Sequence, residues 1–121
     1  MAAAASLATL EIISEPGFHD GLNARAENFY RDMQKVLDRR GLPARVTGRA
    51  SFWQFLFSDK DPRNQMDLLA SDQTRCGNLD LALLKRGVYV LPNVRRFVSA
   101  VHTEQDFSDT LKILDAACAD V

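Results

Sequence analysis

Residues 52–57 read Phe-Trp-Gln-Phe-Leu-Phe, and both alternating sides of that run carry apolar side chains. A strand with one wet face alternates apolar with polar residues, whereas a strand covered on both faces reads as a nearly continuous apolar run. The segment must therefore lie inside packed layers, and its flanks must supply the cover. Gly48 interrupts the stretch from Ala44 onward, so the pattern predicts two strand pieces, with a bulge at the glycine as the ordinary reading.

The cover is legible as helices. Phe18, Leu22, Phe29, Met33, Val36 and Leu37 recur at spacings that line one helical face across 18–40, with Gly41 as the C′ residue and Pro43 blocking continuation. Residues 58–65 read as a solvated loop and 71–86 as a helix, interrupted by Gly77 and capped by Gly87. Short strands follow at Val88–Leu91 and Phe97–Val101. Phe107, Leu111, Leu114 and Cys118 then mark a last helix. The order α, α, β, β, α, β, β, α predicts an α+β fold: a small, mainly antiparallel sheet of about three to four strands with helices packed on one face, preceded by a long N-terminal helix.

That first helix is unusual. Leu7, Leu10 and Ile13 share a side, but Ala3, Ala4 and Ala8 make the rest apolar as well. A helix apolar all round is normally buried, and a chain of 121 residues has little with which to bury its first segment. No basic n-region precedes it, so it does not read as a signal peptide. No apolar run approaches the ~20 residues of a membrane span.

Net charge is −1, with basic residues interspersed among acids. This excludes the one-sided basic stripe of a nucleic-acid binder and the polybasic patch of a membrane binder. Cys76 and Cys118 are isolated from each other and from both histidines, which indicates neither a disulfide framework nor a metal site and fits a reducing cytoplasm.

The stretch His102-Thr103-Glu104 invites a catalytic reading. Thr103 followed three residues later by Asp106, ahead of a periodic apolar run, is instead the spacing of a helix-capping box. No G-x-S-x-G elbow, phosphate-binding glycine loop or metal-ligand spacing is present, so no catalytic, cofactor-binding or metal-binding residue is assigned. Arg95 and Arg96 stand apart: strand alternation sends them to opposite faces, so one of them could form a carboxylate clamp.

Taken in order, the segments "AAAASLATLEIISEPGFHDGLN", "GLPARVTGRASFWQFLFSD", "LALLKRGVYVLPN" and "FVSAVHTEQDFSDTLKIL" resemble the C-terminal part of class III pyridoxal-phosphate aminotransferases, in particular those like glutamate-1-semialdehyde 2,1-aminomutase. The resemblance implies that residues 1–15 are an interdomain-type helix and 16–121 the small domain, with the large cofactor-binding domain absent from this chain. Pyridoxal phosphate is the family's cofactor, but the Schiff-base lysine lies in the family upstream of what Met1 resembles. None of Lys35, Lys60, Lys85 and Lys112 matches it. The expectation is a domain inactive alone, binding no cofactor and self-associating as a homo-oligomer through the first helix and an exposed sheet face. The alternative is a stand-alone binding or regulatory module that self-associates or pairs with a full-length relative.

Two departures from the family pattern matter. The family's VTG-x-G has a second glycine where this chain has Ala50. The turn Leu91–Arg96 is shorter than in the aminomutases and lacks their glutamate. It is more similar to relatives that transaminate amino or β-amino acids with a free carboxylate, which makes Arg95 or Arg96 the candidate substrate-side contact of a complete enzyme.

Overall fold

The computed structural model describes residues 2–121, so Met1 of the expected 1–15 segment lies outside them. Helix α1 spans Ala2–Ile13 and α2 spans Phe18–Arg39. On α2 the residues Ala26, Phe29, Met33, Val36 and Leu37 are buried, the stripe that the helical spacing dictates. Its end is a Schellman motif: the Gly41 N–H donates to Asp38 O at 3.0 Å and the Leu42 N–H to Leu37 O at 3.1 Å.

Strands β1 (Arg45–Arg49) and β2 (Phe52–Leu56) form an antiparallel hairpin, and β3 (Arg96–Phe97) pairs antiparallel with β2, giving a three-stranded sheet in the order β1-β2-β3. The fold is α+β, with α1 and α2 preceding the sheet. Gly48 does not break the strand as its residue type suggested. It lies within β1 opposite Trp53, and the chain reverses at Ala50-Ser51. A Cβ at Gly48 would stand 2.5 Å from Phe52 O and 2.8 Å from Trp53 Cα, so the glycine serves close strand approach rather than a bulge. The turn residue Ala50 carries a φ of +54°. Its carbonyl accepts from the Tyr30 hydroxyl at 2.9 Å, which ties the hairpin tip to α2.

Two expected strands shrink. Val88–Leu91 joins no ladder: the Val88 N–H is spent on Leu83 O at 3.1 Å, closing the preceding helix, and no neighbouring strand lies beside Tyr89. Of the stretch 97–101 only Phe97 is in β3. The Val98 N–H still reaches Ser51 O at 2.7 Å, after which the chain turns, with His102 N–H on Ser99 O. A short helix, α3 (Gln65–Leu69), stands at the end of the expected loop, capped by the Asn64 side chain. Helix α4 spans Gln73–Lys85, and α5 spans Glu104–Ala117 with a final 3-10 turn at Cys118–Asp120.

The core forms where α2, α4 and α5 meet the sheet, with Met33, Leu37, Leu79, Leu83 and Leu114 fully buried. The Phe29 ring stacks on Phe107 at 4.7 Å between centroids and stands edge-on to Trp53 at 6.2 Å. On β2 and just beyond, Trp53, Phe55, Leu56 and Phe57 are buried, but Phe52 stays 42% exposed. The double cover that the apolar run demanded is thus missing at the hairpin end, where β3 is only two residues long.

Helix α1 buries nothing. Leu7, Leu10 and Ile12 are 59%, 56% and 54% exposed, and the helix has no buried residue. No helix among the described residues is long and apolar enough to cross a membrane.

Candidate functional site

The segment 88–97 carries the tandem arginines, and the structure treats them in opposite ways. Arg96 faces Trp53 across the β2–β3 ladder and points into the core, where it is 6% exposed. Its guanidinium pairs with the carboxylate of Asp80, which is fully buried on α4. The Arg96 Cζ lies 5.3 Å from the Trp53 ring centroid and 5.2 Å from that of Phe55. Its Nε and Nη1 have no hydrogen-bond partner among the described residues, and the two aromatic faces are what they meet instead.

Asp80 also accepts from the Asn93 N–H at 2.8 Å. Asn93 has a φ of +57°, so this bond fixes a left-handed residue at the corner of the turn. The Asn93 side chain in turn packs on Gly77, where a Cβ would come within 3.2 Å of its Nδ2. That contact accounts for a glycine in the middle of α4. Burial pushes the Asp80 carboxyl above the usual carboxylate range, against the opposing pull of the Arg96 guanidinium and the Asn93 amide. The neighbouring Cys76 thiol donates to Phe55 O at 3.4 Å, and burial pushes it up to about 11, an inert thiol.

Sequence reasoning missed Asp80, although a signal was there. Cys76, Leu79, Asp80 and Leu83 stand at i, i+3, i+4 and i+7, so the acid sits on the apolar stripe of its helix. A carboxylate in that place requires a buried cation or donor.

Arg95 faces the other way. It is exposed, makes no ion pair among the described residues, and lines a cavity of about 410 Å³ on the outer side of the sheet; together with Arg96 it also borders a larger cavity of about 720 Å³ beside α5. Thr47, Gln54 and Gln65 bring neutral polar groups to the smaller cavity, and Phe52 and Leu68 bring apolar ones. Such a lining suits a small molecule with an anionic end and an apolar body.

The residues 102–106 are occupied with structure. Thr103 and Asp106 form a capping box on α5: the Asp106 N–H donates to Thr103 Oγ1 at 3.2 Å, and the Thr103 N–H donates to Asp106 Oδ2 at 2.7 Å. The Thr103 amide and hydroxyl hold the Asp106 carboxyl below the usual range. Glu104 pairs with Arg25 at 3.1 Å, and Arg25 also donates to the His102 carbonyl. His102 Nδ1 accepts from the Ser99 N–H at 3.1 Å, which leaves Nε2 as the protonated nitrogen of the neutral ring. His19 stands on α2 with its ring edge-on to Phe18 at 5.4 Å.

Pyridoxal phosphate needs a lysine that can reach its aldehyde, an acid for its pyridine nitrogen and a phosphate cradle. The residues described do not fit it. Lys35 and Lys112 are surface residues in i,i+3 pairs with Asp32 and Asp109, and Lys60 and Lys85 are exposed. None lines a cavity of note, and the buried acid, Asp80, is engaged by Arg96 and Asn93. No group of three or more metal-ligating side chains occurs among the described residues.

No protein-family model matches the chain. Curated relatives do. It is 35% identical over 115 residues to glutamate-1-semialdehyde 2,1-aminomutase of Acidovorax sp. (strain JS42), covering 93% of this chain and 26% of that protein. With the same enzyme of Laribacter hongkongensis (strain HLHK9), identity is 34% over 113 residues, covering 92% and 27%. Among solved structures, the FumI protein of Sphingopyxis sp. MTA144 in its PLP internal aldimine form superposes with a TM-score of 0.75 at 34% identity, over 96% of this chain and 26% of that one. An omega-transaminase from Sphaerobacter thermophilus shares the fold, with a TM-score of 0.72 at 19% identity over 87% and 24%. The chain thus spans about a quarter of the length of the relatives it matches. It is homologous to a C-terminal portion of the class III aminotransferases and glutamate-1-semialdehyde aminomutases.

Proposed function

We propose that this chain acts as the small C-terminal domain of a class III aminotransferase or aminomutase, and that alone it neither binds pyridoxal phosphate nor transaminates. One observation carries the reading: α1 is apolar nearly all round, Glu11 being its only charge, and none of its residues is buried. A helix of that composition gains stability by being covered, and the matching relatives are about four times the length of this chain. The large domain of such an enzyme is the cover this reading assigns to α1. Because the lysines do not fit the cofactor, the lysine and the phosphate cradle must come from that domain. The two buried free cysteines suit a reducing cytoplasm.

Within the assembled enzyme, Arg95 is the substrate-side cation of the tandem pair and Arg96 is structural, since Arg96 is already neutralised by Asp80. The test is a chimera in which this chain replaces the matching C-terminal quarter of the Acidovorax aminomutase. The reading expects a chimera that binds pyridoxal phosphate and turns over an amino substrate, beside an isolated chain that does neither. Transamination by the isolated chain would overturn it.

A second reading is favoured by the exposed Leu7, Leu10 and Ile12 together with Phe52 on the central strand and its partner Phe97 on the edge strand. Apolar surface of that extent supports a self-associating module, a homo-oligomer built through α1 and the sheet face. Sedimentation analysis tests it: a concentration-independent monomer rules out self-association.

A further inference from the structure

We infer that Asp80 is a positioning residue that decides which of the tandem arginines faces outward: it withdraws Arg96 into the core and so leaves Arg95 as the guanidinium offered to an anionic ligand. The inference rests on the proposed role of Arg95 but is tested without it. Asp80 works through two arms. One oxygen holds the Arg96 guanidinium, and the other accepts the Asn93 N–H at 2.8 Å. Asn93 and Arg96 bracket Arg95, so both ends of the 93–96 turn are tied to one fully buried carboxylate. Gly77, one helical turn before Asp80 on α4, gives the Asn93 side chain the room to settle there.

The alternatives for this acid are weaker. A helix cap is excluded, because Asp80 lies in the middle of α4. Support of the core alone does not require the second arm, which reaches the backbone of an otherwise exposed turn. Once Asp80 loses its charge, the Arg96 cation is left buried without a counter-ion. Its long aliphatic stem then lets the head move toward solvent, from a strand only two residues long.

The experiment is arginine labelling with phenylglyoxal, mapped by mass spectrometry, on the 121-residue chain. In the wild type Arg95 should label at least ~10-fold faster than Arg96, because reaching Arg96 requires local opening. In Asp80→Asn that ratio should fall toward one while the circular dichroism stays native. Asp80→Glu, which keeps the charge, should restore a large part of it, whereas a merely structural loss would also raise the labelling of the half-buried Arg25, Arg75 and Arg86. In the wild type the Asn93 amide should also exchange more slowly than its neighbours in the turn. If Asp80→Asn does not fold, the paired change Asp80→Leu with Arg96→Met replaces it, and there the Asn93 amide must lose its protection. Equal labelling of Arg95 and Arg96 in the wild type overturns the inference. So does an Arg96 that stays protected in folded Asp80→Asn, or an Asn93 amide whose exchange ignores residue 80. None of these readouts uses a cofactor or a partner domain, so a failed chimera leaves them standing.

Discussion

Ala50→Gly should stabilise this protein. Ala50 sits at the first position of the two-residue loop between β1 and β2, with a φ of +54°, while Ser51 is not among the positive-φ residues. A positive φ at the first loop residue alone is the pattern of a II′ hairpin, which favours glycine there. Holding an L-residue in the left-handed region costs roughly 1–2 kcal/mol. Glycine removes that strain but adds ~0.5–1 kcal/mol of unfolded-state freedom. The balance is a gain of about 0.5–1 kcal/mol, or ~2–4 °C in Tm for a domain of this size. The Tyr30 hydroxyl bond goes to the backbone carbonyl of residue 50 and survives the change.

The control lies two residues away. Gly48→Ala introduces a Cβ 2.5 Å from Phe52 O on the paired strand, an overpacked contact with backbone that should cost about 1–3 kcal/mol. Urea unfolding followed by Trp53 fluorescence measures both, since that residue is 5% exposed in the hairpin. Opposite signs support the turn geometry. A destabilised Ala50→Gly would refute the strained turn at residue 50, and a neutral Gly48→Ala would refute the close approach of β1 to β2 at Gly48.

That pair of residues also shows where sequence reading succeeds and stops. Glycine is the strongest local punctuation, so Gly48 looked like the break. Register, set by the long-range pairing of Trp53 with both Gly48 and Arg96, moved the turn to an alanine. The helices α2 and α5 were legible because their apolar stripes and caps are local signals, and Gly41 and Thr103 stand where their residue types indicate. The Val88–Leu91 segment kept the alternation expected of a strand, with Val90 buried between exposed Tyr89 and Leu91. What it lacks is a neighbour, which no local pattern encodes. The Asp80–Arg96 pair joins residues 16 apart in sequence. Strand alternation marks Arg96 as a candidate carboxylate clamp but names no acid for it.

Other expectations follow from the same geometry. Thr103→Ala removes the α5 cap and should cost ~1 kcal/mol, read as a lowered urea midpoint with an unchanged m-value. Arg40, and then Arg39, hold the Asp115 carboxyl far below its usual range, so its contribution is fully present above the unfolded-state pKa of ~3.9 and is lost as pH falls toward the folded-state value. Asp115→Asn should therefore be less stable than wild type at neutral pH, with the gap closing below about pH 4 and narrowing in salt; a gap that widens in acid contradicts the pairing. Leu7→Gln with Leu10→Gln should leave the unfolding midpoint of the isolated chain nearly unchanged, within ~0.5 kcal/mol. Leu114→Ala in the core should cost about 2–5 kcal/mol. Comparable losses from the two would mean that α1 is already covered in the isolated chain.

The most direct test of the central claim is a pyridoxal phosphate titration of the purified chain, followed by borohydride trapping and peptide mapping. The account predicts no saturable absorbance change and only scattered, substoichiometric labelling of Lys35, Lys60, Lys85 and Lys112, as their surface positions dictate. One cofactor trapped per chain on a single lysine would contradict it, because the chain would then have built the cofactor site that this account assigns to another domain.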